Sequence, residues 1–170
     1  MLKIVLSATE ESEPIELSLE HSLVSLSKWE AKHEKPFFGK ESMTSEETID
    51  YIRHMILDVE PPENLAGRLN ETLIMSIKNY IDSKQTATWF QNEGPGKPSS
   101  EATTSELIYY WMIALKVPIS CETWHLNRLM TLIKICGIKQ AKPKQMDKRA
   151  LSKQYKDLNA QRREQLGTNG

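Results

Sequence analysis

Residues 107 to 115 form a run of nine apolar residues without a charge, and this run constrains the fold more than any other segment. A helix here has no polar stripe, so it is expected at the centre of its domain. The flanks fit that reading. Thr103 precedes Glu106 by three residues, the spacing of a capping box, and Pro118 ends the segment on its C-terminal side. Ser120 is placed to cap a further helix on which Trp124, Leu129, Met130, Ile133 and Cys136 share a side, with Gly137 at its C′ position. The short link between the two predicts an antiparallel pair.

The N-terminal third changes period. Leu2, Ile4 and Leu6, then Ile15, Leu17 and Leu19, alternate with other residues on either side of a polar stretch, which is the pattern of a β-hairpin. Leu23, Val24, Leu26 and Trp29 recur at helical spacing and predict a helix over about residues 20 to 34, closed by Pro36. Thr44 and Glu47 make a second capping box ahead of Ile49, Ile52 and Ile56, and Pro61-Pro62 ends that segment. Leu73, Ile74, Ile77, Tyr80 and Ile81 build the face of a third helix. Residues 86 to 90 are apolar enough to pack as an extended piece, and residues 91 to 102, rich in Gly, Pro and Ser, read as a long exposed loop. The fold class that emerges is mainly α with a small N-terminal β-hairpin (α+β): a compact helical domain plus a C-terminal basic helical arm.

Charge divides the chain in the same place. The 170 residues hold 22 Lys/Arg and 23 Asp/Glu, but residues 134 to 170 sum to +7 and residues 1 to 133 to −8. An acidic body over residues 1–137 and a basic linker and arm over residues 138–170 are therefore expected. The arm starts with Lys142-Pro143-Lys144, and Asp147 can cap a final helix whose apolar face, Leu151, Tyr155 and Leu158, is thin. So little apolar surface makes the helix marginal alone, and it is expected to be mobile or to fold against a partner. The candidate partner-binding residues are Lys148, Arg149, Leu151, Lys153, Tyr155, Lys156, Leu158, Arg162 and Arg163. Their charges could neutralise phosphates, but Asp147, Asp157 and Glu164 interrupt the field and Tyr155 is the one stacking aromatic, so a solvated helix or an arm docking on an acidic protein surface fits better than nucleic acid.

Two cysteines do not make a disulfide framework, the first apolar run is too short for a secretory signal, and no apolar stretch is long enough to span a bilayer. A soluble, intracellular protein is expected. Cys121 and Cys136, read as lying ~22 Å apart on one helix, cannot bridge and are assigned to packing. Glu30 with His33, and Glu122 with His125, repeat the Glu-x-x-His spacing of dinuclear carboxylate sites. Lys28, Lys32 and Lys35 surround His33, so surface ion pairing is the preferred reading and no metal is expected. His21 and His54 belong to no triad pattern, and Gly94-Pro95-Gly96-Lys97-Pro98-Ser99 lacks the Walker spacing. Trp29, Trp89, Trp111 and Trp124 are assigned to the core. No catalytic, cofactor-binding or metal-ligating set emerges, so a non-enzymatic protein without a cofactor is expected.

Several blocks are similar to a known family: residues 19–30, LEHSLVSLSKWE; 86–90, TATWF; 105–112, SELIYYWM; 124–133, WHLNRLMTLI; and the closing 158–163, LNAQRR. Together they resemble the tail assembly chaperones of tailed bacteriophages, encoded just ahead of the tape-measure protein. The resemblance implies a non-catalytic protein of the host bacterial cytoplasm that binds the long helical tape-measure protein, keeps it soluble and helps recruit tail-tube subunits. A structural tail or head-tail connector component of the virion is the alternative.

Overall fold

A computed structural model describes residues 1–8, 13–39, 42–57, 59–90 and 102–141, together with residues 152, 155–159, 162 and 167. The chain divides into two compact units, Met1–Ile138 and Lys139–Gly170. In the first, strands β1 (Leu2–Leu6) and β2 (Ile15–Leu19) form an antiparallel hairpin in which Leu2 faces Leu19, Ile4 faces Leu17 and Leu6 faces Ile15. The period-two pattern puts Ile4, Leu6, Leu17 and Leu19 on one buried face. Arg68 fixes the far end of the hairpin, its Nη2 donating to the carbonyls of Leu6, Ser7 and Glu13 at 3.3, 2.7 and 2.8 Å.

The helices are α1 (Leu23–His33), α2 (Ser45–Met55), a single turn α3 (Leu65–Arg68), α4 (Glu71–Asp82), α5 (Ser105–Ala114) and, after a 3₁₀ turn at Ile119–Thr123, α6 (Leu126–Gln140). Thus the protein is mainly α with one small β-hairpin. The Thr44–Glu47 capping box forms in both directions: the Glu47 amide donates to Thr44 Oγ1 at 3.2 Å and the Thr44 amide to Glu47 Oε2 at 2.8 Å. Beyond α2 the chain joins the free edge of β2, the Glu20 amide donating to the Met55 carbonyl and the Leu57 amide to that of Ser18.

Two apolar clusters fill this unit, and α1 belongs to both. One is closed by the hairpin face, Trp29, Tyr51, Ile52, Met55, Leu65, Leu69 and Ile77. The other holds Leu23, Leu26, Ile108, Met112, Val117, Cys121, Leu126, Leu129 and Ile133. The central helix is therefore α1 rather than α5, and α5 packs chiefly against α1 instead of pairing tightly with α6.

Several expectations need correction. Only one face of α5 is covered, by Ser105, Ile108 and Met112, while Tyr110 and Ile113 are 63% and 67% exposed. Its cap is Thr104, whose side chain accepts the Leu107 amide, not Thr103. Helix α6 runs through Gly137 to Gln140, so Gly137 is a helix-interior residue and not a C′ cap. Cys121 lies in the 3₁₀ turn, not on the helix of Cys136. In α4, Ile74 is exposed and Ile77 alone is fully buried.

Candidate functional site

The two Glu-x-x-His pairs do not converge. Glu30 is 6% exposed, and its carboxylate accepts two backbone amides, Phe37 N on Oε1 at 2.8 Å and Ser105 N on Oε2 at 2.7 Å. This replaces the surface ion pair expected for it: the carboxylate is a buried clamp between the exit of α1 and the entry of α5. His33 turns instead to Asp50, its Nε2 at 2.8 Å from Oδ2, and Lys32 holds the other oxygen of Asp50. Glu122 accepts the Tyr109 hydroxyl at 2.7 Å, and His125 is buried elsewhere. Among the described residues no group of three or more His, Cys, Asp or Glu side chains is placed to hold a metal ion.

His125 instead meets His21, the ring centroids 5.2 Å apart. His21 Nδ1 is 2.5 Å from the Tyr51 hydroxyl, His125 Nε2 is 3.1 Å from the Tyr80 carbonyl, and the Tyr80 hydroxyl donates to Glu20 Oε1 at 2.6 Å. The N-terminal ammonium closes the set on Glu20 Oε2 at 2.9 Å. Burial, helped by the neighbouring His125, pulls the His21 imidazole down to about 4. Burial also lowers His125, and burial with the Glu20 carboxylate raises both tyrosines. Both imidazoles are consequently neutral near pH 7. The backbone crosses here as well, since the Leu126 amide donates to the His21 carbonyl at 2.7 Å. These contacts tie the hairpin to α2, α4 and the start of α6.

A surface groove with room for a ligand is lined in part by α6. After α4, residues 83–90 run without regular structure, tied down where Asn127 Nδ2 donates to the carbonyls of Ile81 and Ser83 at 3.0 and 2.9 Å. Between this segment, α5 and α6 opens a groove of about 720 Å³. Trp111 of α5, Leu115 just after it, and Met130 and Ile133 of α6 give its apolar lining, and Trp89 and Phe90 form its aromatic wall. Trp89 is 82% exposed, which overturns its assignment to the core and the expectation that residues 86–90 pack inward. Of the four tryptophans Trp29 alone is fully buried, and Trp111 and Trp124 are partly covered. Two lysines sit on the aromatic rings of the groove, Lys84 Nζ over Trp89 at 4.6 Å and Lys134 Nζ over Phe90 at 4.1 Å.

Sequence reading missed this groove. Its signal was the adjacent pair Trp89-Phe90 directly ahead of a Gly/Pro-rich stretch, which looks the same whether the rings point inward or outward. Of the arm residues proposed for partner binding, Tyr155, Lys156, Leu158 and Arg162 are exposed and helical. Tyr155 and Leu158, three residues apart, share a side of their helix. Lys148, Arg149, Leu151, Lys153 and Arg163 lie outside the described residues. Compared with protein-family models, with curated proteins and with solved structures, the chain matches none.

Proposed function

We propose that this chain is a non-catalytic assembly chaperone of a tailed bacteriophage, acting in the host cytoplasm on the tape-measure protein and, through it, on tail-tube subunits. The observation that supports this best is the groove of Trp89, Phe90, Trp111, Leu115, Met130 and Ile133, an apolar surface left open beside two filled cores. Chaperoning a long helix requires such a surface, because an amphipathic helix recognised in a groove presents anchors at i, i+3, i+4 and i+7 to apolar side chains. The basic arm supplies a second, electrostatic contact in this reading, with Lys148, Arg149, Lys153 and Lys156 as its charges and Leu151, Tyr155 and Leu158 as its apolar side.

The resemblance of residues 19–30, 105–112 and 124–133 to the tail assembly chaperones points the same way. Co-expression with the neighbouring tape-measure protein tests the proposal. The two should co-purify, and Trp89→Ala should weaken the complex by at least about 30-fold, the loss of roughly 2 kcal/mol that marks an aromatic hot spot. A tape-measure protein that stays soluble without this chain and never co-purifies with it would refute the reading. The alternative of a structural tail or connector component is decided by mass spectrometry of purified particles, which would find it in many copies.

A further inference from the structure

We propose that His125 is an acid-labile N-cap of α6, a switch through which falling pH loosens the hold of this helix on the end of α4. The amides of the first turn of α6 each have an acceptor. The Leu126 amide donates to the His21 carbonyl at 2.7 Å, and those of Arg128 and Leu129 to the carbonyl of His125. The Asn127 amide donates to His125 Nδ1 at 3.3 Å. An imidazole thus stands where Ser, Thr, Asp or Asn ordinarily caps a helix. On the other side of the ring, Nε2 lies 3.1 Å from the Tyr80 carbonyl. A carbonyl can only accept and an amide N–H can only donate, so the two partners specify a neutral ring with its proton on Nε2.

Protonation would put a second N–H on Nδ1, facing the Asn127 N–H. The cap then loses its acceptor, and a positive charge arises at the positive end of the α6 dipole. Among the described residues, the titratable and charged groups that face His125 are His21 from the link between β2 and α1, Glu20 beside it, the Met1 ammonium and Tyr80 of α4, with Arg128 following on its own helix. Glu20 is the one anion of this set, and it already holds the Tyr80 hydroxyl on Oε1 and the Met1 ammonium on Oε2. Burial keeps the imidazole below its ordinary 6.5 against the opposing pull of the Tyr80 carbonyl and Glu20. The cap is therefore intact near pH 7 and is lost as the pH falls through the lowered value. The same turn holds the end of α4, because Asn127 Nδ2 donates to the carbonyls of Ile81 and Ser83 beside the His125 contact with Tyr80. From there the chain runs into residues 84–90, so a broken cap loosens the root of the groove wall.

Long-range proton–nitrogen NMR spectra of the full chain with labelled histidine read the tautomer and charge of each imidazole, and amide exchange corrected for its intrinsic pH dependence reads the cap. At neutral pH His125 should be the Nε2–H tautomer. As it protonates, the Asn127 amide should lose at least about tenfold in protection, the size expected for a lost cap joined to a charge of the wrong sign. The side-chain amide signals of Asn127 should shift in step. His125→Asn substitutes a capping side chain that does not titrate, and should hold the Asn127 protection constant over the same range. His21→Asn should leave the fall in place, and a fall that vanishes there would assign the effect to His21 and overturn the proposal. An Nδ1–H tautomer of His125 would also overturn it. So would Asn127 protection that stays constant while His125 protonates, a fall that persists in His125→Asn, or a His125 that stays neutral until the whole chain unfolds. Should His125→Asn fail to fold, the unsubstituted chain decides alone, since tautomer, protonation and protection are all read on it.

Discussion

Removing the Glu30 carboxylate should cost far more than a surface residue would. Its two oxygens accept the amides of Phe37 and Ser105, and Ser105 is itself fully buried. The Ser105 amide is one of the first-turn amides of α5 that no helical carbonyl can satisfy. Thr104 takes care of Leu107 but not of Ser105. With Glu30→Ala both amides lose their acceptor, at about 1 to 3 kcal/mol each, and α5 loses an anion at the positive end of its dipole. We expect a total of about 3 to 5 kcal/mol. Glu30→Gln keeps one carbonyl oxygen and turns an NH₂ toward the second amide, so about half of that loss is expected. Urea unfolding followed by circular dichroism checks both values, as a fall in midpoint at unchanged slope. A Glu30→Ala loss below about 1 kcal/mol, or a Gln variant as damaged as the Ala variant, would refute the clamp.

Other buried contacts give three further expected outcomes. His21 is held at about 4 in the folded protein but titrates near its ordinary 6.5 when unfolded, so the unfolded state takes up the proton first and stability falls as pH drops from about 6.5 to about 4. The loss should approach about 3 kcal/mol, and urea midpoints across that window should be flatter for His21→Asn. Arg68→Ala removes three carbonyl contacts at the end of the hairpin and should cost about 3 kcal/mol, with faster proteolysis between Ser7 and Pro14 as a second readout. Trp29→Ala should cost about 3 to 5 kcal/mol and the half-buried Trp111 clearly less, and comparable thermal midpoints for the two variants would contradict the placement of the core.

Local signals were legible in the sequence and distant ones were not. The hairpin strands, the Thr44–Glu47 box and the α2 and α4 segments each depend on residues within a few positions of one another, and each lies where its pattern predicts. The neighbouring threonines before α5 show the limit, because Glu106 favours Thr103 by spacing while the chain caps with Thr104. Glu30 looked like a surface acid, since its partner Ser105 lies 75 residues away. The uncharged run at residues 107–115 suggested a helix covered all round, yet hydropathy records which residues tolerate burial and not how many neighbours arrive. For α5 one face is covered, and the outer side retains Tyr110 and Ile113. The same ambiguity concealed the groove, because an aromatic pair that serves a partner has the composition of one that serves the core.

Hydrogen exchange of the complex with the tape-measure protein tests the central proposal most directly. Binding in the groove predicts slowed exchange at residues 84–90 and 127–137, with His21 and its surroundings unchanged because that cluster is already closed. Protection confined to residues 139–170, or no protection at residues 84–90, would contradict it.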